Sequence, residues 1–382
     1  MTPAARVQAA ITILDQILSG DPAEAALLRW SRSSRFAGSG DRAAIRDLVF
    51  DSLRRRRSRA ALGGALTGRG LILGMCLQEG LDPVQIFTGE GHAPAKLAGG
   101  ELGKGRQPTE AEALDLPDWV QPLWAGSLGA NAKPVARAMS ARAPVWLRAN
   151  ALRATPAQAI ASLAQDGIVA QSFTGLPTAL VVIEGARKVS NARAYRDGLV
   201  ELQDLSPQLA CAMLPTAQKV LDYCAGGGGK SLAIAARGNV DVTAHDANPA
   251  RMNDLPSRAD RAGAKVRIAK SGQIRGTFDL VVTDVPCSGS GTWRRTPDAK
   301  WRLDRDRLRD LVEIQAGILD DAGRYVAPNG YLAYMTCSLI DEENGQQVAA
   351  FAGRSEFELH SQRVFTPLDA SDGFFVAILR RR

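Results

Sequence analysis

Apolar residues in the first third of the chain recur every three or four positions. The repeat runs through residues 7–18 and again through residues 45–53, and each run is typical of one buried face of an amphipathic helix. Asp41 is the expected N-cap of the second helix. Shorter helical patterns follow over residues 71–78 and 119–128, while the Gly-, Ala- and Pro-rich residues 89–108 predict an irregular connection. We therefore expect an all-α domain over residues 1–138.

The pattern changes near residue 139. Residues 145–150 are expected to form a strand that enters a turn, residues 156–165 a helix, and residues 179–183 a second strand. These elements predict a small α+β unit over residues 139–214.

From residue 215 to residue 382, strands and helices alternate. Strands are expected over residues 219–222, 240–244, 278–283 and 330–336, helices over residues 231–236 and 308–319, and the last apolar run covers residues 374–379. This alternation predicts an α/β domain, with a parallel, Rossmann-like sheet covered by helices on both faces. In such sheets, ligands bind beyond the carboxyl ends of the strands. The polar or reactive residues at those ends, or within one residue of them, are Asp222, Asp246, Asp284 and Cys337.

The charge of the chain indicates the class of partner. The 382 residues include 47 Lys and Arg against 40 Asp and Glu, a formal net charge of +7, which favours a polyanionic partner. Arginines are densest at residues 54–57 and 59, where they predict either nucleic-acid contact or a solvated helix end. We expect residues 54–57 and 294–309 to contact phosphate, and the alternative for residues 294–309 is an exposed helix with internal salt bridges. No apolar run approaches the roughly 18 residues of a membrane span, and no signal-peptide pattern begins the chain. We expect a soluble cytoplasmic protein that binds no membrane.

The numbers and spacing of the cysteines and histidines argue against disulfide bonds and a metal site. Five cysteines form no CxxC pair, and their odd number argues against a disulfide framework. Three histidines show no metal-ligand spacing, so no metal is expected.

Four consecutive glycines follow the first strand of the α/β domain. They allow close approach of a ligand and expose backbone amides at a helix N-terminus, which favours a ligand with a negative group. Gly229-Lys230-Ser231 matches the end of a nucleotide-binding P-loop. A P-loop also requires a glycine five residues before Gly229, and that position is occupied by Cys224. The alternative is a loop that holds S-adenosylmethionine (SAM), in which Asp246 accepts hydrogen bonds from the ribose hydroxyls. A second interpretation of Asp246 is that it caps the helix that begins at Asn248.

Two cysteines lie on polar turns at the same predicted edge of the sheet. Cys287 follows the strand that ends near Asp284, and Cys337 follows the next strand. A single cysteine at a strand end is usually an inert apolar side chain. Two of them on Ser- and Gly-containing turns at a ligand edge favour a reactive thiolate.

These residues belong to motifs spread over nearly the whole chain. The motifs are CAGGGGK at 224–230, DVPCSGSG at 284–291, TCS at 336–338, RRTPDAKW at 294–301, DEEN at 341–344, DGFF at 372–375, WLRAN at 146–150 and LQDLS at 202–206. Together they resemble the RsmB/Nop/Sun family of RNA 5-methylcytosine methyltransferases. The N-terminal helices, with DRA at 41–43 and LR at 53–54, resemble a NusB-like RNA-binding domain.

The resemblance implies a fold and a set of roles. The fold is a class I SAM-dependent methyltransferase domain after a small α+β RNA-binding subdomain and a NusB-like domain. Cys337 is the implied nucleophile towards carbon 6 of cytosine, Cys287 assists breakdown of the adduct, and Asp284 reaches both cofactor and base. The implied substrate is an unpaired or flipped cytosine of 16S rRNA, bound by a monomer. The residues implied to bind SAM are Cys224, Ala225, Gly226, Gly227, Gly228, Gly229, Lys230, Asp246 and Asp284.

Two positions depart from the family pattern. The family usually has proline at the position of Gly227 and an acid near the adenine at the position of Ser271. These departures leave open a catalytically silent rRNA-binding assembly factor beside the enzyme, with a P-loop NTPase as the third alternative.

Overall fold

The structure is a computed structural model that describes residues 1–270 and 272–382. It divides into two compact units, the first formed by residues 1–142 and 292–303 and the second by residues 143–291 and 304–382. The helices are α1 (Pro3–Leu18), α2 (Ala23–Ser33), α3 (Ser39–Arg54), α4 (Arg56–Gly63), α5 (Gly68–Glu79), α6 (Pro83–Ile86), α7 (Glu110–Ala113), α8 (Gln121–Leu128), α9 (Ala132–Met139), α10 (Pro156–Gln165), α11 (Arg193–Arg196), α12 (Leu205–Met213), α13 (Gly229–Ala235), α14 (Leu255–Ala262), α15 (Pro297–Arg302), α16 (Arg305–Gly323) and α17 (Gly345–Arg354). The strands are β1 (Val145–Ala149), β2 (Val169–Phe173), β3 (Leu176–Glu184), β4 (Val200–Leu202), β5 (Lys219–Asp222), β6 (Asp241–Ala244), β7 (Val266–Ile268), β8 (Phe278–Asp284), β9 (Val326–Thr336), β10 (Phe357–Phe365) and β11 (Phe374–Arg381).

The first unit is helical, and its core lies between α1, α3 and α5. The apolar faces predicted for α1 and α3 face the core, with Leu14 and Ile45 fully buried. The backbones of helices α4 and α5 are in contact, which is possible because Gly74 has no side chain. A Cβ at that position would lie 1.9 Å from the carbonyl oxygen of Arg59.

Asp41 has a different role from the predicted one. Helix α3 begins at Ser39 with Gly38 as its N-cap, so Asp41 lies in the first turn. Its carboxylate accepts from the Gly38 amide at 3.1 Å and pairs with Arg6 at 2.7 Å. The prediction that Asp41 is the N-cap residue is wrong, although its carboxylate still stabilises the helix N-terminus.

Residues 292–303 belong to this helical unit, although they lie in sequence between two strands of the larger sheet. Trp293 stacks on Trp124 with ring centroids 5.9 Å apart. The indole N–H of Trp301 donates to the Leu53 carbonyl at 2.8 Å. These contacts fix α15 against the end of α3.

The second unit contains two sheets. The smaller is antiparallel, in the order β2-β3-β1-β4, with α10 packed on it. It is tied to the larger domain through Glu201 of β4, a buried carboxylate that accepts from Arg258 at 3.0 Å and from Arg261 at 2.6 Å.

The larger sheet has the strand order β10-β11-β9-β8-β5-β6-β7. Strands β5 to β9 are parallel, and β11 runs antiparallel between β9 and β10. This is the Rossmann-like arrangement of methyltransferases, and the predicted fold class is confirmed. Two strands, β7 and β10, were not predicted, and β9 begins four residues earlier than the expected strand.

Across the described residues, no single helix is long and apolar enough to span a membrane. Helices α4 and α5 reach that length and apolar composition only when taken together, and they are bent by 88° where they meet.

Candidate active site

The glycine loop lies between β5 and α13 at the carboxyl edge of the larger sheet. Gly226 and Gly228 have φ values of +51° and +80°, a backbone region that residues with a Cβ rarely adopt. A Cβ on Gly228 would also lie 2.2 Å from Leu255. The sequence therefore needs glycine at both positions to turn the chain into α13.

Asp222, the last residue of β5, lies fully buried beneath this loop. Its Oδ2 accepts from the Ser231 hydroxyl at 2.6 Å, whereas its Oδ1 has no hydrogen-bond partner among the described atoms. Burial raises the pKa of Asp222 to about 6, against the opposing effects of the Ser231 hydrogen bond and the Lys230 charge. The residue that leads into the loop is therefore a buried carboxylate with one oxygen that accepts no hydrogen bond from the described residues.

Asp246 connects the loop to the end of β6. Its Oδ2 accepts from the Gly226 amide at 2.9 Å and lies 3.3 Å from the Arg251 guanidinium, and its Oδ1 accepts from the Asn248 amide at 2.9 Å. The carboxylate therefore also supports the turn at Asn248. The alternative that Asp246 caps the following helix is wrong, because Asn248 is the N-cap and its side chain accepts from the Ala250 amide. The contact of Asp246 with the ribose stays a prediction.

Gly227, the departure from the family pattern, is held by a side chain instead of a proline ring. Arg258 donates to the Gly227 carbonyl oxygen, and Glu201 fixes the same guanidinium. The loop is therefore restrained at this position from outside the motif. Ser271, the other departure, lies outside the described residues.

Carboxylates surround the start of the loop. The Cys224 thiol has a raised pKa because of its burial and because of the nearby charges of Asp222, Asp284 and Asp246. Lys230 offsets part of this charge, since its ammonium contacts Asp284 at 2.5 Å. Burial opposes the charge of Lys230, but the charge and hydrogen bond of Asp284, together with the nearby Asp222, leave its pKa raised. The space beside the loop combines backbone amides with negative side chains.

The two predicted cysteines meet at the neighbouring strand ends. Cys287 follows β8, Cys337 follows β9, and their Sγ atoms are 3.3 Å apart. Both residues are partly accessible, unlike Cys76 and Cys211, which are buried. The pKa of Cys287 lies well above its usual value because of its hydrogen bond to Cys337, its burial and the nearby charge of Glu343. Cys287 therefore stays protonated at neutral pH and can donate its S–H proton to a thiolate.

Glu343 holds the two cysteine turns together, and the sequence reasoning gave it no role. This carboxylate is fully buried. It accepts from the Ser288 amide at 2.7 Å, from the Ser288 and Ser338 hydroxyls at 2.5 Å each, and from Gln315 at 3.0 Å. Ser288 and Ser338 each follow one of the cysteines, so one side chain fixes both turns. The sequence does contain a clue to this arrangement. A serine follows each cysteine, and Glu343 lies five residues after the second serine, Ser338.

Two arginines of the run, Arg54 and Arg59, are buried, whereas Arg55, Arg56 and Arg57 are partly exposed. Arg54 is buried, donates to the Arg294 carbonyl at 2.6 Å and pairs with Asp51. Arg59 is fully buried against Glu79, and burial lowers its pKa to about 10. The prediction that Arg54–Arg57 contact phosphate is therefore wrong for Arg54, whose buried guanidinium binds groups of the protein itself.

Over residues 1–270 and 272–382, no group of three or more His, Cys, Asp or Glu side chains could hold a metal ion.

The strand order, the glycine loop and the acids at the strand ends define a Rossmann-like methyltransferase domain. A sequence profile of the 16S rRNA methyltransferase RsmB/F family matches residues 211–380. A second profile, the ferredoxin-like domain of RsmF/B-like methyltransferases, matches residues 116–190. The chain belongs to the RsmB/F methyltransferase family.

Named relatives support the assignment. The chain is 30% identical over 352 residues to ribosomal RNA small subunit methyltransferase B of Xanthomonas campestris, which covers 82% of this chain and 80% of that protein. It is 33% identical over 269 residues to the protein of the same name from Klebsiella pneumoniae, covering 65% of this chain. The chain spans 62% of the length of the Klebsiella relative and 65% of that of the Vibrio cholerae relative.

Solved structures share the fold. The crystal structure of PH0851 superposes with a TM-score of 0.77 at 21% identity and covers 100% of this chain and 99% of its own. A methyltransferase homolog protein from Pyrococcus horikoshii gives a TM-score of 0.61 at 20% identity, covering 71% of this chain and 97% of its own.

Proposed function

We propose that this protein transfers a methyl group from SAM to carbon 5 of a cytosine in 16S rRNA, through a covalent bond between Cys337 and the base. The observation that carries the proposal is the 3.3 Å separation of the Cys287 and Cys337 Sγ atoms at the sheet edge that also holds the glycine loop. Neither a silent assembly factor nor a P-loop NTPase needs this pair.

Cys337 supplies the nucleophile. Carbon 5 of cytosine is a weak nucleophile until a thiolate adds to carbon 6. The new C–S bond pushes an electron pair towards carbon 5. That carbon would take the methyl group as the sulfonium S–CH3 bond breaks, with the thioether as the leaving group. Transfer of the carbon 5 proton to a water molecule returns the pair to the ring and expels the Cys337 thiolate.

Cys287 assists at the same sulfur. Because its thiol stays protonated, its S–H can donate to the Cys337 thiolate before attack and again when that thiolate leaves. The Ser288, Ser338 and Glu343 contacts hold the two sulfur atoms at this separation, which avoids reorganisation during the reaction.

The glycine loop is the proposed SAM site. The amino-acid end of SAM has a carboxylate and an ammonium group, next to a sulfonium. The loop amides suit the carboxylate, and the carboxylates around Cys224 suit the two cations. The partly exposed Asp284 carboxylate is an acceptor on that side. When bound, SAM supplies the methyl group as the electrophile.

The choice of 16S rRNA rests on the family description and on the names of the relatives. The net charge of +7 suits an RNA partner. We infer that residues 1–138 and 139–214 bind RNA and that the protein acts as a monomer in the cytoplasm.

The test is to incubate the purified protein with unmodified 16S rRNA and methyl-labelled SAM, digest the RNA, and identify the labelled nucleoside by mass spectrometry. The proposal expects the label in 5-methylcytidine. Label in another nucleoside would contradict it. Absence of both transfer and SAM binding in calorimetry would favour the silent assembly factor, which does not need the cofactor.

A further inference from the structure

A concave pocket of about 580 Å³ opens on the helical unit, within residues 1–142 and 292–303. Its volume lies in the range of sites that hold small ligands. The side chains that give it its character are Arg56, Arg57, Lys104, Arg106, Trp119 and Trp301. Four cations and two indoles thus face one cavity.

The carboxylates at this pocket are already paired. Glu112 pairs with Arg106 at 2.7 Å, and Asp118 pairs with Arg57 at 2.7 Å. In the part of the chain that the structure describes, Arg56 has no carboxylate within ion-pair distance. Its guanidinium instead lies over the Trp301 ring, 4.9 Å from the centroid. The pocket therefore has an unneutralised cation.

Burial makes this charge unfavourable in the absence of a ligand. Arg56 is half-buried, and burial lowers its pKa. Lys300, beside the same ring, is buried, and burial lowers its pKa to about 8 against the attraction of Asp115. An anion bound at Arg56 would offset the cost of keeping cations away from water.

The walls of the pocket are fixed by hydrogen bonds to main-chain carbonyl groups. The Arg106 amide donates to the Ala61 carbonyl at 2.9 Å, which holds the 102–106 segment against α4. Arg57 donates to the Leu116 carbonyl at 2.6 Å and so anchors the segment before Trp119. The indole of Trp301 is held at Leu53. The site is therefore formed before any ligand arrives.

We infer that this pocket binds an unpaired RNA nucleotide, with Arg56 contacting the phosphate and Trp119 stacking against the base. An unneutralised cation beside an accessible indole is the combination by which proteins hold single-stranded nucleic acid. A base inside a duplex cannot enter a concave pocket, so the ligand is single-stranded. The inference rests on the proposed function only for the choice of RNA as the polyanion, and it does not depend on the cysteine chemistry.

The test measures binding of the full chain to a labelled single-stranded RNA of about twelve nucleotides and to the same RNA annealed to its complement. Arg56→Gln should weaken single-strand binding about tenfold and lower the slope of log K against log salt by about 0.7, the loss of one phosphate contact. Arg56→Lys should recover part of the affinity, because it keeps the charge but loses the planar fork. Trp119→Leu should weaken binding at least fivefold without changing the salt slope.

The matched control is Arg35→Gln, which removes the same charge from an exposed position on the same unit and should change affinity less than about twofold. Circular dichroism checks that each variant is folded. Equal losses for Arg56→Gln and Arg35→Gln, or unchanged binding by Trp119→Leu, would overturn the pocket assignment alone. Absence of RNA binding by the unaltered protein would instead contradict the proposed function.

Discussion

Replacing Glu343 with alanine removes the buried carboxylate that accepts hydrogen bonds from both cysteine turns. Hydrogen bonds to a charged group contribute about 1.5–3 kcal/mol each, but here they do not simply add. The Ser288 and Ser338 hydroxyls are 3.3 Å apart and can pair with one another once the acid is gone. The Ser288 amide and one N–H of Gln315 are left without that acceptor, and a cavity remains.

From these losses we expect Glu343→Ala to lower the free energy of unfolding by about 3–5 kcal/mol. Glu343→Gln keeps the shape and one acceptor oxygen, so it should cost about 1–2 kcal/mol. The matched control is Glu342→Ala. Within residues 1–270 and 272–382, Glu342 makes only a surface ion pair with Arg305 at 3.0 Å, so this change should cost less than about 1 kcal/mol.

Denaturant unfolding of the three variants measures these differences through the shift in midpoint at constant slope. A fluorogenic reagent that bridges two thiols reports the Cys287–Cys337 pair in the same samples, and its reaction should slow in Glu343→Ala. If Glu343→Ala unfolds at the same midpoint as Glu342→Ala, Glu343 does not hold the two turns together.

Three further predictions concern the pH dependence, the nucleophile and the RNA partner. The folded-state pKa of Asp222, about 6, exceeds the ordinary 3.8, so the folded protein loses stability as the pH rises from about 4 to about 6. Above pH 6, Asp222→Asn should therefore have a free energy of unfolding up to about 3 kcal/mol higher than that of the unaltered protein, and below pH 4 the two should be equally stable. Denaturant unfolding that shows a difference independent of pH would refute this. Cys337→Ala should abolish methyl transfer but keep SAM affinity in calorimetry, whereas the buried-cysteine control Cys211→Ala should keep both; residual transfer by Cys337→Ala would exclude it as the nucleophile. RNA affinity should fall steeply with added salt in a filter-binding assay, and a binding constant unaffected by salt would contradict phosphate contact.

The parts of the site that the sequence predicts are those fixed by strand ends. Parallel strands terminate at one edge, so β8 and β9 bring Cys287 and Cys337 together once each strand is recognised from its buried apolar run. The glycine loop follows in the same way from the end of β5. Their roles in catalysis stay predictions.

The parts that could not be predicted depend on packing between distant segments. β7 has only three residues, and the edge strand β10 is mostly exposed, so neither shows a buried apolar pattern. The run 54–59 gives no sign of which arginines are buried, because this depends on the break between α3 and α4 and on residues 292–303 packing there. Glu343 belongs to a polar DEEN motif, and only the fold shows that it is buried.

The most direct measurement uses the Cys287→Ala variant, which should be unable to complete breakdown of the adduct. The variant is incubated with 16S rRNA and SAM, digested with nuclease and protease, and analysed by mass spectrometry. We predict a methylated cytidine covalently attached to the peptide that contains Cys337. A nucleotide attached to any other residue, or methylation by Cys337→Ala without an adduct, would contradict the account.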